Sequence, residues 1–110
     1  TMEQYVYSRL WYGRKIIVGK KKENGNRFTL NGYIELLNSD PKGWLRHAAG
    51  GDVGYFSDIY PFDNFIGQLF FAGYLYDKKH LFIGFDTREV DKLVSKDECI
   101  ESLKKAARSL

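Results

Sequence analysis

Aromatic rings and positive charges alternate in the first thirty residues of the chain. The residues that could bind a ligand this way are Tyr5, Tyr7, Arg9, Trp11, Lys20, Lys22 and Arg27. Bases of single-stranded nucleic acid stack on such rings for about 1–3 kcal/mol each. Ammonium and guanidinium groups neutralise the phosphates between the bases. If these side chains share one exposed face, they predict a nucleic-acid interface.

Four interpretations of this face remain open. It could bind nucleic acid, as the sheets of RNA-binding domains and open barrels do. It could be an ordinary solvated surface, because Tyr and Trp favour strands and Lys stems cover rings. It could also meet another protein or lie beneath the terminal helix. The nucleic-acid hypothesis therefore requires an uncovered face.

Histidine provides a second candidate chemistry. His47 precedes a Gly-rich segment that contains Asp52 and Asp58. Because imidazole titrates near neutral pH, a His–Asp pair here could perform general acid–base catalysis. Such residues are common in domains of this size, and His80 has the simpler interpretation of a polar strand end. We expect a non-enzymatic protein with no catalytic residues.

Cysteine and acidic residues exclude several kinds of site. The single cysteine, Cys99, excludes an intramolecular disulfide framework and a zinc site built from several cysteines. The sequence has no close His pair and no Asp-x-Asp spacing, so we expect no metal and no cofactor. Cys99 is expected to be a buried thiol in a helix.

Charge is distributed unevenly along the chain, whose net charge is +3. Residues 1–30 carry seven Lys and Arg against two Glu, a net charge of +5. Residues 31–110 carry ten basic residues against twelve acidic ones, a net charge of −2. This asymmetry indicates an end that faces a polyanion and, less directly, self-association of unlike ends.

Length and hydropathy favour residues 1–110 as a single domain. No apolar run approaches the roughly 20 residues of a membrane-spanning helix. The N-terminus alternates where a signal peptide would be continuously apolar. We therefore expect a cytoplasmic protein with no membrane contact, and the sequence leaves its oligomeric state open.

The N-terminal third predicts a three-stranded meander. Strands over 5–12 and 15–22 would flank a type II′ turn at Gly13-Arg14, and Asn24-Gly25 favours a type I′ turn before the third strand. This register assigns to the core Val6, Leu10, Ile17, Gly19, Phe28 and Leu30. The opposite face then carries the seven candidate residues together with Ile16, Val18 and Thr29.

The middle of the chain predicts one short helix and an irregular segment. Residues 32–38 fit a helix capped by Asn31 or an extension of the third strand, and we favour the helix. Pro41 suits the first turn of a helix over 41–49. Residues 50–67 are acidic and rich in Gly and aromatic residues, and a loop of this length indicates a function or a missed element.

The aromatic residues of this segment have two interpretations. They predict either a cluster that closes one end of the core or a contact with another protein at Tyr60-Pro61-Phe62. The rings are Tyr55, Phe56, Tyr60, Phe62 and Phe65.

A central hairpin is predicted over Gln68–Asp86. Pairing Tyr76 with His80 sorts the apolar side chains onto two faces and brings Tyr74 opposite Phe82. Two apolar faces indicate an element that is covered on both sides.

Two capping boxes are predicted near the C-terminus. Asp86 with Glu89 predicts a short helix over 88–94, and Ser95 with Glu98 predicts a terminal helix. The apolar residues of the terminal helix recur at helical period: Cys99, Ile100, Leu103, Ala106, Ala107 and Leu110.

These elements predict an α+β fold, with an antiparallel β-meander, a central β-hairpin, helices packed on one face and a C-terminal helix. The first functional hypothesis is a small binding protein that contacts single-stranded nucleic acid through the seven candidate residues. The alternative is an adaptor or inhibitor that binds a larger protein through the same face or through residues 50–67.

Overall fold

The computed structural model describes residues 3–110 and confirms the α+β class. Five antiparallel strands form one sheet in the order β1-β2-β3-β5-β4. The strands are β1 (Glu3–Trp11), β2 (Arg14–Lys22), β3 (Phe28–Leu36), β4 (Gln68–Tyr74) and β5 (Leu81–Asp86). The helices are α1 (Lys42–Ala49) and α2 (Lys96–Ser109), with short 3-10 turns at Val53–Phe56 and Phe62–Asn64.

Both helices cover the same face of the sheet, as the sequence predicted. Ala48 of α1 and Leu103 of α2 belong to the main core together with Ile16, Ile34 and Phe85. Helix α2 packs on β2 and β3, while α1 packs on β4 and β5. Among residues 3–110, no helix has both the length and the apolar character that a membrane span requires.

The turn between β1 and β2 lies one residue earlier than predicted. Trp11 pairs with Arg14, and the turn residues Tyr12 and Gly13 both have positive φ (53° and 78°). Positive φ at both central residues is the requirement of a type I′ turn, so the type II′ prediction is wrong.

A β-bulge in β1 changes the direction of its side chains. Tyr5 pairs with Gly19 and Tyr7 pairs with Val18, so the register shifts at Val6. The extra residue places Tyr5 on one face of the sheet and Tyr7 on the other, because side chains alternate along a strand.

The loop between β2 and β3 is one residue longer than predicted. The amide of Glu23 donates to the carbonyl of Arg27 (2.8 Å), and Lys22 pairs with Phe28. This shift moves Phe28 onto the face of Lys22. Ile16 and Val18 of β2 pack in the main core with the helices, so the face predicted to be the core, with Ile17 and Gly19, is the one without helices, and that prediction is wrong.

Two predicted helices are absent from the described residues. Residues 32–36 continue β3, which pairs with β2 on one side and β5 on the other. Residues 88–94 form turns, and the side chain of Asp86 accepts from the backbone amide and guanidinium of Arg88. Helix α1 follows Pro41, close to the predicted start, and the capping box of Ser95 and Glu98 opens α2 as predicted.

The central hairpin exists, but its predicted register is wrong. Tyr74 pairs with Leu81 instead of Phe82, and a second bulge lies between Leu69 and Phe71. Residues 75–80 form a loop that folds back over the sheet, where the Tyr76 ring lies 5.6 Å from the Phe82 ring.

Candidate nucleic-acid interface

The β-bulge divides the seven candidate residues between the two faces of the sheet. Tyr5 lies on the face without helices, where its ring is 6.5 Å from the ring of Tyr33. Burial, followed by the nearby Glu3 carboxylate, raises the pKa of Tyr5. Tyr7, Arg9 and Trp11 lie on the helix-bearing face. The prediction that all these side chains share one outward face is therefore wrong.

Trp11 lies beneath α2 and is only partly exposed. The ammonium nitrogen of Lys104 is 4.3 Å from the centre of the indole ring, a cation–π contact. The indole N–H is buried and has no acceptor among residues 3–110. Tyr7 is also half-buried against the main core. Neither ring stands free in solvent as the stacking hypothesis had assumed.

Lys20 and Arg27 converge on a ring that the sequence had assigned to the core. Phe28 is 54% exposed, and the ammonium nitrogen of Lys20 lies 4.3 Å from its centre. These side chains border a groove of about 700 Å³. Its lining residues are Val6, Lys20, Asn26, Arg27, Phe28, Leu30, Leu93, Val94 and Lys96. This lining contains three basic residues and no carboxylate.

A second hollow of about 340 Å³ adjoins this groove and shares Arg27 and Phe28. It adds Arg88 and Lys92, and Glu23 is its one carboxylate-bearing lining residue. Arg88 and Lys92 already form ion pairs with Asp86 (3.1 Å) and Glu98 (2.5 Å) respectively.

The Lys92 ion pair also affects the acid that it contacts. The hydrogen bond from Lys92 is the largest cause that lowers the pKa of Glu98, followed by the backbone amide of Ser95. By contrast, Lys20, Arg27 and Lys96 have no ion-pair partner within residues 3–110. These three cations are available to an anionic ligand.

Two basic residues of helix α2 lie along β1. Lys96 contacts the groove beside Val6, and Lys104 covers Trp11, so both lie along the side of α2 that borders β1. The Lys104 ammonium also lies 3.7 Å from a carboxylate oxygen of Glu101, so its charge is partly neutralised within the helix. Lys96 is therefore the cation of α2 that is available beside β1.

We call this strip the basic flank. It runs from the Phe28 groove along β1 to Trp11, and it consists of Tyr7, Arg9, Trp11, Lys20, Lys22, Arg27, Phe28, Lys96 and Lys104. Arg9 and Lys22 are exposed, and their pairing partners place them on the helix-bearing face. Six of the seven sequence candidates belong to this strip, and Tyr5 does not.

Sequence reasoning missed three members of the basic flank. Phe28 was assigned to the core because the loop before β3 was taken as one residue too short. Lys96 and Lys104 were noted only as helix residues. Their spacing of eight residues, about two helical turns, was the signal that both lie along one side of α2.

His47 and Asp52 form the pair that the catalytic hypothesis named. The imidazole Nδ1 lies 2.9 Å from Asp52 Oδ2, and the ring stacks on Tyr55 at 3.7 Å with planes 5° apart. The carboxylate can fix the tautomer and leave Nε2 toward solvent. The pair is solvent-accessible and borders none of the hollows described above, so the expectation of a non-enzymatic protein stays a prediction, with this pair as its catalytic alternative.

The aromatic residues of 50–67 mostly close the core, which was one of their two predicted roles. Phe56 and Phe62 are fully buried, with ring centres 5.4 Å apart, and Trp44 packs on Phe62 at 5.1 Å. Tyr60 is exposed, and its hydroxyl lies 3.0 Å from the hydroxyl of Ser109. Residues 3–110 contain no group of three or more His, Cys, Asp or Glu that could hold a metal ion.

Comparison with known proteins gives no assignment: no family model, no curated protein and no solved structure matches the chain.

Proposed function

We propose that the protein binds single-stranded nucleic acid along the basic flank. The observation that carries the proposal is the groove around Phe28, in which Lys20, Arg27 and Lys96 surround an exposed ring and no carboxylate lines the surface. A nucleic-acid strand needs both groups, because its bases stack on rings while its phosphates require cations. Tyr5 has no part in this revised site.

The arrangement favours a single strand over a duplex. Phe28 offers a flat apolar face that only an unstacked base can reach, and single strands expose such bases. Beyond the groove, Arg9 continues the positive charge toward Trp11, where Lys104 shares its charge with Glu101 (3.7 Å). Phosphates that follow the stacked base can therefore contact cations along β1. Trp11 acts here as support for Lys104, because its ring is partly buried against the main core, whereas the Phe28 ring is 54% exposed.

The charge of the strip also predicts how binding responds to salt. Each phosphate that a cation neutralises releases counterions, so log K falls with log salt by about 0.7 per contact on a single strand. The contacts carry little sequence information, because stacking and charge neutralisation accept every base. We expect binding with weak sequence preference.

Fluorescence anisotropy with a labelled oligothymidine of about 16 nucleotides tests the proposal. Binding should weaken log-linearly between about 50 and 200 mM salt. The triple variant Lys20→Gln, Arg27→Gln, Lys96→Gln should reduce the magnitude of the salt slope by about 2.

The matched control removes three exposed lysines elsewhere, with Lys42→Gln, Lys78→Gln and Lys79→Gln. Its salt slope should stay close to that of the wild type. Equal loss in both triple variants would show that net charge alone attracts the oligonucleotide, and the proposal would be wrong. Absence of binding at low salt would also overturn it.

The adaptor hypothesis stays a prediction and is separable in the same assay. Poly-glutamate of matched charge is a competitor with anionic groups but no bases. Displacement of the oligonucleotide only at a large excess of poly-glutamate supports the nucleic-acid proposal, whereas equal potency favours an acidic protein partner. Residues 50–67 are the weaker adaptor surface, because Phe56 and Phe62 are buried.

The proposal also includes a cytoplasmic location. The buried free thiol of Cys99 fits a reducing compartment such as the cytoplasm.

A further inference from the structure

The face of the sheet opposite the helices carries exposed aromatic rings. Ile17, Tyr33 and Phe82 are buried at its centre, and neither helix contributes to this second cluster. Around them stand Tyr5, Phe70 and Tyr76, which are 41%, 39% and 45% exposed. We call this surface the open face. Contiguous exposed rings on a small protein mark an interaction surface.

The rings of the open face are arranged almost symmetrically about its central strand. Tyr33 lies on β3, the third of the five strands. Its ring centre is 6.5 Å from that of Tyr5, on the β1 side, and 6.0 Å from that of Phe70, on the β4 side. A two-fold axis along β3 would therefore place Tyr5 of one copy against Phe70 of a second copy, and the reverse.

Charges of the strands and of Arg88 on the open face are balanced, unlike those on the basic flank. The cations are Lys15, Lys21 and Arg88, and the anions are Glu3, Glu35 and Asp86, while loop 75–80 adds Asp77, Lys78 and Lys79 at the margin. Several of these anions are already engaged: Glu3 accepts from the Tyr33 hydroxyl and the Asn31 amide, and Asp86 accepts from Arg88. A balanced face does not repel its own copy, which a two-fold interface requires because the same patch meets itself.

We propose that the open face is an interface between two copies of this chain, which pack sheet against sheet about a two-fold axis along β3. Sheets that pack face to face align their strands within about 30° and interleave their side chains. Five strands spaced about 4.8 Å apart, each some 20–25 Å long, give at most about 1,000 Å² of buried surface for both copies together, because Tyr76 of loop 75–80 covers Phe82 and would itself form part of the contact. This area is at the low end for specific interfaces, so we expect a weak, concentration-dependent dimer.

The interface is independent of the proposed nucleic-acid site. The basic flank lies on the helix-bearing side, and a dimer through the open face leaves both copies of the flank outside. A partner protein of different sequence is the competing occupant. The charge balance and the central position of Tyr33 favour a second copy, because both are properties that self-pairing requires.

Sedimentation velocity on the wild-type chain tests the first part of the proposal. The average mass should rise from monomer toward dimer between about 10 and 500 µM, the range in which weak dimers form. Phe70→Lys should abolish the rise, because it places a charge against the Tyr5 ring of the second copy. Tyr60→Lys alters an exposed ring outside the open face and should leave the rise unchanged.

Chemical cross-linking tests the geometry. In the double variant Tyr5→Cys, Phe70→Cys the two sites lie four strand spacings apart within one copy, on the order of 19 Å, which is beyond the reach of a short bismaleimide that spans about 8 Å. Facing sheets lie about 10 Å apart, so the same reagent should join position 5 of one copy to position 70 of the other and give a covalent dimer. Cys99 is buried and its pKa is raised to about 12, chiefly by burial, so it does not compete. A control variant with Tyr5→Cys and Tyr60→Cys should stay largely monomeric.

The outcomes separate the alternatives. A mass that stays monomeric at every concentration overturns the proposal and assigns the open face to a different partner. A dimer that survives Phe70→Lys, or that fails to cross-link between positions 5 and 70, places the interface elsewhere and also overturns it. Loss of oligonucleotide binding in the variants of the basic flank, with the dimer intact, bears only on the proposed function.

Discussion

Lys20 and Phe28 stand on neighbouring strands with the ammonium nitrogen 4.3 Å from the centre of the ring. The contact keeps a cation beside an exposed apolar face at the mouth of the groove. In the absence of a ligand it shields the ring from water, since the lysine stem lies over apolar surface. A nucleotide that stacks on Phe28 would meet the same ammonium group at its phosphate.

Replacing Phe28 by alanine should weaken oligonucleotide binding by about 1–3 kcal/mol, the stacking energy of one base. The salt slope should change little, because no cation is removed. Anisotropy titrations at two salt concentrations measure both quantities. Tyr60→Ala removes an equally exposed ring from another part of the surface and should bind as the wild type does. Equal affinity of the Phe28 variant and the wild type would contradict the stacking role.

A buried ion pair fixes β2 to the segment before α1. Arg14 donates two hydrogen bonds of 2.7 Å to the carboxylate of Asp40, and both side chains are only 7% exposed. Asp40→Asn leaves a buried guanidinium without its counter-charge and should lower the free energy of unfolding by about 3 kcal/mol. Urea denaturation measures the loss. The double variant Arg14→Met, Asp40→Leu should lose less than the single one, because it leaves no unpaired charge.

The same pair predicts a pH dependence. Burial alone would raise the pKa of Asp40, but hydrogen bonds from Arg14 and the Leu37 amide outweigh burial and lower it below 3.8. Stabilisation by this carboxylate is therefore fully present above pH 3.8 and is lost as the pH falls through the lower folded value. The free energy of unfolding of Asp40→Asn should fall less steeply in that window. Parallel curves for the two proteins would contradict the assignment.

Local chemistry allowed the helices at 41–49 and at the C-terminus to be predicted. The capping box of α2 needs only residues three apart. Ser95 Oγ accepts from the Glu98 amide at 3.1 Å, and the Glu98 carboxylate accepts from the Ser95 amide at 3.0 Å. The same pattern failed at Asp86 and Glu89. There β5 extends through Asp86, whose carboxylate contacts Arg88, so the pairing of the sheet overrides the helix signal.

Strand register could not be predicted, because bulges and turn positions decide it. One residue at each of Val6 and Phe70 interrupts the alternation, and neither carries a recognisable signal. A shift of one residue before Phe28 moved the side chains of β3 to the other face relative to those of β2, since side chains alternate with period two. For the same reason the candidate site was only partly predicted: Lys20 and Arg27 were identified, while Phe28 was not.

Gly84 lies at the centre of the sheet, where the absence of a side chain lets an aromatic ring pack closely. Its substitution tests this packing. A Cβ added there would lie 2.6 Å from Tyr33 Cδ1, and the Tyr33 hydroxyl is held by Glu3 at 2.8 Å. Gly84→Ala should lower the free energy of unfolding by about 1–3 kcal/mol, the usual cost of overpacking. At Gly54 an added Cβ would lie 3.8 Å from its nearest atom, so Gly54→Ala should change the free energy of unfolding by less than about 0.5 kcal/mol. Equal stabilities of the two variants would show that the Tyr33 ring moves freely.

The loop that folds over the open face has an acid with an unusually low pKa. Asp77 accepts hydrogen bonds from the Lys79 amide at 2.9 Å and from the His80 imidazole, which together lower its pKa to about 2. Stabilisation of the loop by this carboxylate is present above pH 3.8 and is lost as the pH falls through about 2. Carboxyl carbon shifts in an NMR titration should give that midpoint.

Two variants identify the groups that lower this pKa. In His80→Ala the midpoint of Asp77 should rise yet stay below 3.8, because the Lys79 amide, the largest cause, remains in place. Lys78→Ala removes a neighbouring charge whose side chain makes no ion pair within residues 3–110, and the midpoint should not move. A wild-type midpoint at 3.8 would mean that the loop does not hold Asp77 against these donors.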